Sequence, residues 1–191
     1  MSVSVLDPKS ALLVIDLQKG IAARAAALGA APAVARVVAQ ARLLAQAFRR
    51  RGLPVVLVNV AGQPPGRTEQ GARLTGLPPD WTELLPELDR QPGDHVVTKR
   101  TWGAFAGTGL AQHLAGQGVS QIVIAGVATS VGVESTAREA YALGFNVTLA
   151  LDAVADMNAE AHANSVERIF PRLGETGATN EIVALLEGGR R

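Results

Sequence analysis

Ala11-Leu-Leu-Val-Ile15, followed at once by Asp16-Leu-Gln18, is the stretch that decides the fold. Consecutive apolar residues with no polar alternation describe a strand buried on both faces, the condition of a strand inside a parallel sheet. Working outward, runs of the same kind recur at Pro54-Val-Val-Leu-Val-Asn-Val60, His95-Val-Val-Thr98, Gln121-Ile-Val-Ile-Ala125 and Asn146-Val-Thr-Leu-Ala-Leu151. Segments of helical period lie between them. Over residues 32–51 a single stripe holds Val34, Val37, Val38, Ala41, Leu44, Ala45 and Phe48, and Gly52 stops it. Over 131–143 the residues Val133, Ala137, Ala140 and Tyr141 share one face, which ends at Gly144. Further helices are predicted over 159–170 and 180–187. Strand and helix in alternation give right-handed βαβ units and a parallel sheet covered on both faces. Residues 61–91 are the exception: Pro- and Gly-rich, with Trp81 and little period, they are too long for a plain connection and are expected to form a lid or an interface.

At 191 residues the chain is expected to form one domain over 1–191, long enough to bury about 70% of its unfolded surface. Eighteen Lys and Arg against 17 Asp and Glu leave a formal charge of +1 and no basic stripe, which argues against nucleic acid as a partner. The N-terminal residues lack the basic stretch and long apolar run of a signal peptide, and no run approaches the roughly 20 apolar residues that span a bilayer. A cytoplasmic protein with no membrane partner is the expectation. The chain has no cysteine, so disulfides, Cys-based metal clusters and thiol chemistry are all closed to it.

In an open parallel sheet, ligands bind beyond the carboxyl ends of the strands. The first strand ends in Asp16 and the third in Lys99, with Arg100-Thr-Trp-Gly-Ala-Phe105 following. The fourth leads into Gly126-Val-Ala-Thr-Ser-Val-Gly132, which opens a helix, and the fifth ends in Asp152. Backbone N–H groups around Ser130 to Val133 are unpaired at such a helix start and attract anionic or polarised oxygen, and Gly132 lets a ligand approach closely. Equally, Ser130 is an N-cap and Gly132 a packing glycine. Asp16 alone could tie down a loop and Lys99 alone could be a solvated charge. Placed together, each tunes the charge state of the other. Asp152 is read as structural, serving the turn over 153–156. No phosphate loop and no G-x-S-x-G elbow is present. Gly107-Thr-Gly109 has Gln112 where a dinucleotide fingerprint needs glycine, and His95, His113 and His162 lack metal spacing. No cofactor or metal is expected.

Val14-Ile-Asp16-Leu-Gln18, Lys99 with Trp102-Gly-Ala-Phe105, and Gly126-Val-Ala-Thr-Ser-Val-Gly132-Val-Glu-Ser-Thr-Ala137 together resemble the isochorismatase-like hydrolases of the cysteine hydrolase superfamily. The likeness continues in order through Leu151-Asp152-Ala153 to Ile169-Phe-Pro-Arg-Leu-Gly174. It implies a three-layer αβα, Rossmann-like architecture with a mostly parallel six-stranded sheet. It implies a homo-oligomer, dimer or tetramer, acting on a small molecule. It also implies a cis peptide at Val127–Ala128. Most members are nicotinamidases and other amidases whose Asp, Lys and Cys would fall at Asp16, Lys99 and position 132. The Asp takes the thiol proton, the thiolate attacks the amide carbon, and helix-entrance N–H groups hold the oxyanion. Gln18, Trp102, Phe105, Val127, Ala128, Thr129 and Val131 would then contact substrate, although Trp102 and Phe105 read equally well as core aromatics.

Position 132 is Gly, however, and no other cysteine can replace the nucleophile, so amidase chemistry through a thioester is excluded. The Asp-x-His metal motif of nicotinamidases is also missing from Val60-Ala-Gly-Gln-Pro-Pro-Gly66. Two branches of the family resemble this chain in lacking the thiol. True isochorismatases carry Gly there; their Asp protonates the methylene carbon of an enol ether, and water captures the oxocarbenium ion. The other branch is a set of bacterial proteins without an assigned substrate, and its wording is nearer to this chain, where Val127-Ala128 replace the aromatic of true isochorismatases. Two readings follow. One is a cofactor-independent hydrolase of a small carboxylated metabolite with Asp16 as general acid or base and Lys99 orienting it or binding substrate. The other is a catalytically silent relative that binds a metabolite or a protein partner.

Overall fold

The computed structural model describes residues 3–69, 74 and 76–188. Six strands form one sheet: β1 (Ser10–Ile15), β2 (Val55–Val60), β3 (His95–Lys99), β4 (Gln121–Val127), β5 (Asn146–Ala155) and β6 (Glu175–Gly177). Their order across the sheet is β3-β2-β1-β4-β5-β6, and every pairing is parallel. The chain therefore runs outward one way from β1, then returns to its other side at β4. That reversal opens a crevice between the carboxyl ends of β1 and β4.

All six residues of β1 are buried, as a strand covered on both sides requires. Leu12 and Val14 face a core built with α1 (Lys19–Ala27), α2 (Ala31–Arg50) and α7 (Thr179–Gly188). Ala11, Leu13 and Ile15 face the opposite core, shared with α3 (Leu110–Gly116), α4 (Glu134–Ala142) and α6 (Phe170–Leu173). The result is the expected three-layer αβα arrangement with a fully parallel sheet. The seven predicted stripe residues of α2 are all buried. No helix among the described residues is long and apolar enough to cross a membrane.

Four expectations need correction. Tyr141 is 57% exposed, and Thr136 takes the buried place beside Val133, Ala137 and Ala140. Its hydroxyl donates to the Gly132 carbonyl at 2.7 Å, which makes a polar residue acceptable there. The helix predicted over 159–170 is divided into α5 (Ala159–Asn164), a π-helical turn (Ser165–Ile169) and α6, whose first turn contains Pro171. α1 and β6 carried too little periodic signal to be predicted as separate elements. Finally, β5 does not stop at Leu151. Leu149 pairs with Ile124 and Val154 with Gly126, so residues 150–153 make an excursion before pairing resumes. Asp152 sits in that excursion and accepts hydrogen bonds from the Thr179 N–H (2.8 Å) and hydroxyl (2.9 Å), capping α7 rather than serving the next turn.

Gly126 permits the close meeting of β1 and β4 beside the crevice. Its φ is +123°, and a β-carbon there would lie 2.1 Å from the Ile15 carbonyl oxygen. Gly126→Ala is expected to destabilise the fold by about 3 kcal/mol or more, because strain and a backbone collision coincide. Denaturant unfolding checks this, and a midpoint equal to wild type would refute the account.

Candidate active site

Asp16 is the first residue beyond β1. Its N–H still bonds the sheet, donating to the Val58 carbonyl at 2.9 Å, but its φ is +54°. Asp tolerates this left-handed conformation better than most residues. The turn ends the strand's alternation and brings the carboxylate to the side on which Ile15 lies. Asp16 Oδ2 and Ile15 Cγ2 both come 3.0 Å from the point where a β-carbon on Gly132 would stand.

Lys99, the last residue of β3, is 2% exposed. Its Nζ lies 2.9 Å from Asp16 Oδ2 and donates to the carbonyls of Thr101 (3.1 Å) and Trp102 (2.8 Å). These three acceptors use the three donors of an ammonium, so Lys99 is fully engaged by the protein. Asp16 is not. Its Oδ1 is buried and has no hydrogen-bond partner. Burial pushes the Asp16 pKa up to about 6, while the charge and hydrogen bond of Lys99 pull it down and lose the contest. The carboxyl group is therefore poised between its two protonation states near neutrality, with one oxygen held and the other free to act.

Gly132 belongs to a π-helical turn (Thr129–Val133) that precedes α4. The peptide bond Val127–Ala128 leading into it is cis. The expectation of unpaired N–H groups along this turn is overturned at three positions. The Ser130 N–H donates to Asp156 Oδ2 at 2.7 Å, and those of Val131 and Val133 donate to the Ala128 carbonyl at 3.1 and 3.2 Å. Ser130 is itself capped, since its hydroxyl also donates to Asp156 at 2.8 Å. Asp156 reaches this point because β5 continues to Ala155. The fully buried Thr129 meets His162 of α5, with 2.9 Å between Oγ1 and Nδ1. Neither Asp156 nor His162 stood out in the sequence, where the first read as part of a turn and the second as a lone histidine.

The other expected contacts divide. Gln18 spends both amide N–H groups on the carbonyls of Val60 (3.1 Å) and Trp81 (2.7 Å), and its oxygen accepts the Val60 N–H at 2.7 Å. It therefore holds the connection after β2 and has no donor left for a ligand. Trp81 lies against Gly20, where a β-carbon would come 2.2 Å from the ring, and its indole N–H donates to the Val60 carbonyl. With Gln18 paired to Leu84 in an antiparallel bridge, this part of the 61–91 segment is fastened down. Residues 70–73 and 75 of that segment lie outside the described residues. Phe105 belongs to the core, its ring centroid 5.9 Å from that of Phe145, so it is not a pocket wall. Trp102 is 60% exposed and contributes its carbonyl to Lys99. Val127 and Ala128 are buried, and Val131 is half-buried. Among the described residues no group of three or more His, Asp or Glu side chains is placed to hold a metal ion, so the nicotinamidase-type metal does not fit the residues present.

Comparison with known proteins bears on the fold and the family. The Isochorismatase domain model matches residues 10–181. The isochorismatase family protein YwoC of Bacillus subtilis is 40% identical over 182 residues, covering 92% of this chain and 93% of its own. Maleamate amidohydrolase of Pseudomonas putida is 33% identical over 175 residues, 87% of this chain and 82% of its own. The structure of an isochorismatase family protein from Burkholderia thailandensis superposes with a TM-score of 0.88 at 39% identity, covering 97% of this chain and all of that one. The chain belongs to the isochorismatase family, a family that includes hydrolases.

The state of Asp16 has a measurable consequence for stability. Its folded pKa lies above the unfolded value, so the folded form keeps the proton longer. The associated stability is complete below about pH 4 and is lost as pH rises through about 6, a change of about 3 kcal/mol. Asp16→Asn removes this dependence. Unfolding free energies of the two proteins across this range should therefore diverge against wild type as pH rises, and parallel curves would contradict a raised Asp16 pKa.

Proposed function

We propose that the protein hydrolyses a small carboxylated metabolite without forming a covalent enzyme intermediate, with Asp16 as the proton donor and water as the nucleophile. The observation that carries this reading is the buried, unpartnered Oδ1 of Asp16, whose Lys99-bound Oδ2 lies beside Gly132, a residue with no side chain. A carboxyl group held partly protonated in a buried site is a general acid, and no nucleophilic side chain stands at position 132 to take the place of water. An enol ether is the substrate type that best matches this equipment. Proton transfer from Asp16 to the methylene carbon leaves an oxocarbenium ion beside the new carboxylate. Water adds to that ion and returns a proton to Asp16. The adduct then breaks its C–O bond to give an alcohol and a ketone. Lys99 keeps Oδ2 in place throughout and stabilises the carboxylate once the proton has left. Arg100, exposed immediately after Lys99, is the side chain we assign to a carboxylate on the substrate.

Acyl transfer is doubly disfavoured, by the missing cysteine and by the engagement of the Ser130, Val131 and Val133 N–H groups that would otherwise help to hold an oxyanion. The missing nucleophile favours the second reading, a family member that binds a metabolite or a protein without turning it over. A homo-oligomer of cytoplasmic location belongs to either reading.

A panel of carboxylated enol ethers, isochorismate included, with esters and amides of similar size, tests the proposal. Turnover is expected with the enol ethers, and kcat/KM should fall as pH rises through about 6, because the protonated acid is the active form. Asp16→Asn should lower kcat by about two to four orders of magnitude. Equal turnover by wild type and Asp16→Asn would overturn the mechanism. Tight binding by calorimetry with no product after long incubation would establish the binder instead.

A further inference from the structure

Residues 100–109 form no regular element, yet two of their carbonyls, those of Thr101 and Trp102, define where the Lys99 ammonium sits. A loop without a hydrogen-bonded ladder keeps such a shape only where side chains fix it. Phe105 is one anchor, packed in the core against Phe145. The second comes from across the site. Glu139, on α4, accepts the Phe105 N–H at 2.9 Å through Oε2. Its carboxylate also lies directly against Gly103, where a β-carbon would be 2.2 Å from both Cδ and Oε2. The absence of a side chain at 103 is what lets the loop settle on Glu139. The helix that carries Glu139 also begins at the turn containing Gly132, so Glu139 adds a polar link between the Gly132 element and the loop that cradles Lys99, whose Ala104 and Phe105 share a core with Val133, Ala137 and Ala140.

We infer that Glu139 is a positioning residue that holds the Thr101–Trp102 carbonyl cradle, and through it the contact between Lys99 and Asp16. Glu139 touches no reacting atom. The catalytic meaning of this arrangement rests on the reading of Asp16 given above, but the arrangement itself is tested without turnover. Lys99 lowers the Asp16 pKa by charge and hydrogen bond, so a loosened cradle weakens that pull and the titration midpoint moves upward.

The experiment is a carbon-13 titration of the Asp16 carboxyl group in the full chain, the resonance being assigned by its loss in Asp16→Asn. Glu139→Gln keeps an oxygen for the Phe105 N–H and controls for the lost charge. Glu139→Ala removes both. Glu139→Ala is expected to raise the Asp16 midpoint by about half a pH unit or more, with Glu139→Gln close to wild type. Thermal melting establishes that each variant is folded. Should Glu139→Ala not fold, Glu139→Asp, one methylene too short for the Phe105 N–H, carries the same expectation. A folded variant with an unmoved Asp16 midpoint would overturn the inference, because a merely structural role lowers stability alone. Equal shifts in Glu139→Gln and Glu139→Ala would also overturn it, since charge and not position would be the cause.

Discussion

A carboxylate and an ammonium buried 2.9 Å apart at the edge of a sheet impose conditions on everything around them. Removing either charge from water costs several kcal/mol, and mutual attraction repays that only when the remaining donors and acceptors are met. On the Lys99 side they are met completely, by Asp16 and two loop carbonyls. On the Asp16 side one oxygen is left unmet. The imbalance is informative. A pair serving stability alone would be expected to satisfy both partners, whereas an unfinished carboxyl group keeps a lone pair, or a proton, for something that arrives later.

The fold supplies the two residues from strands that are not neighbours. β1 and β3 are separated by β2, and the long side chain of Lys99 spans that distance along the carboxyl edge. Across the crevice, β4 delivers Gly132 to the same carboxylate, and Gly126 allows the backbones to meet there. Acid, cation and the glycine beside the acid thus come from three strands. Small errors in strand register would separate them, and the buried faces of the sheet hold that register.

How far these features could be read from sequence depended on the kind of signal each carried. Strands buried on both faces are unbroken apolar runs, and a helix packed along one face is a stripe, so β1 to β4 and α2 were visible within a residue or two. The placement of Asp16 and Lys99 followed from strand ends, which needs no knowledge of side-chain direction. The invisible parts are those in which a polar side chain chooses among partners in space. Gln18 is a ligand contact by the family resemblance, yet the Val60 and Trp81 backbone claims it. Asp156 looked like a turn residue because the excursion in β5 disguises where that strand ends. Glu139 sat in an ordinary helical stretch, and only the approach of a distant loop gives it a task. Phe105 and Trp102, three positions apart in one motif, proved to face a core and the solvent respectively.

The excursion at residues 150–153 lets one strand serve two neighbourhoods. Up to Ala150, β5 pairs with β6; beyond the excursion it rejoins β4 and delivers Asp156 to Ser130. Asp152, within the excursion, holds the start of α7 through Thr179. A ten-residue strand thus fastens the last helix with one carboxylate and the turn that carries Gly132 with another, so the end of the chain and the crevice share a single support.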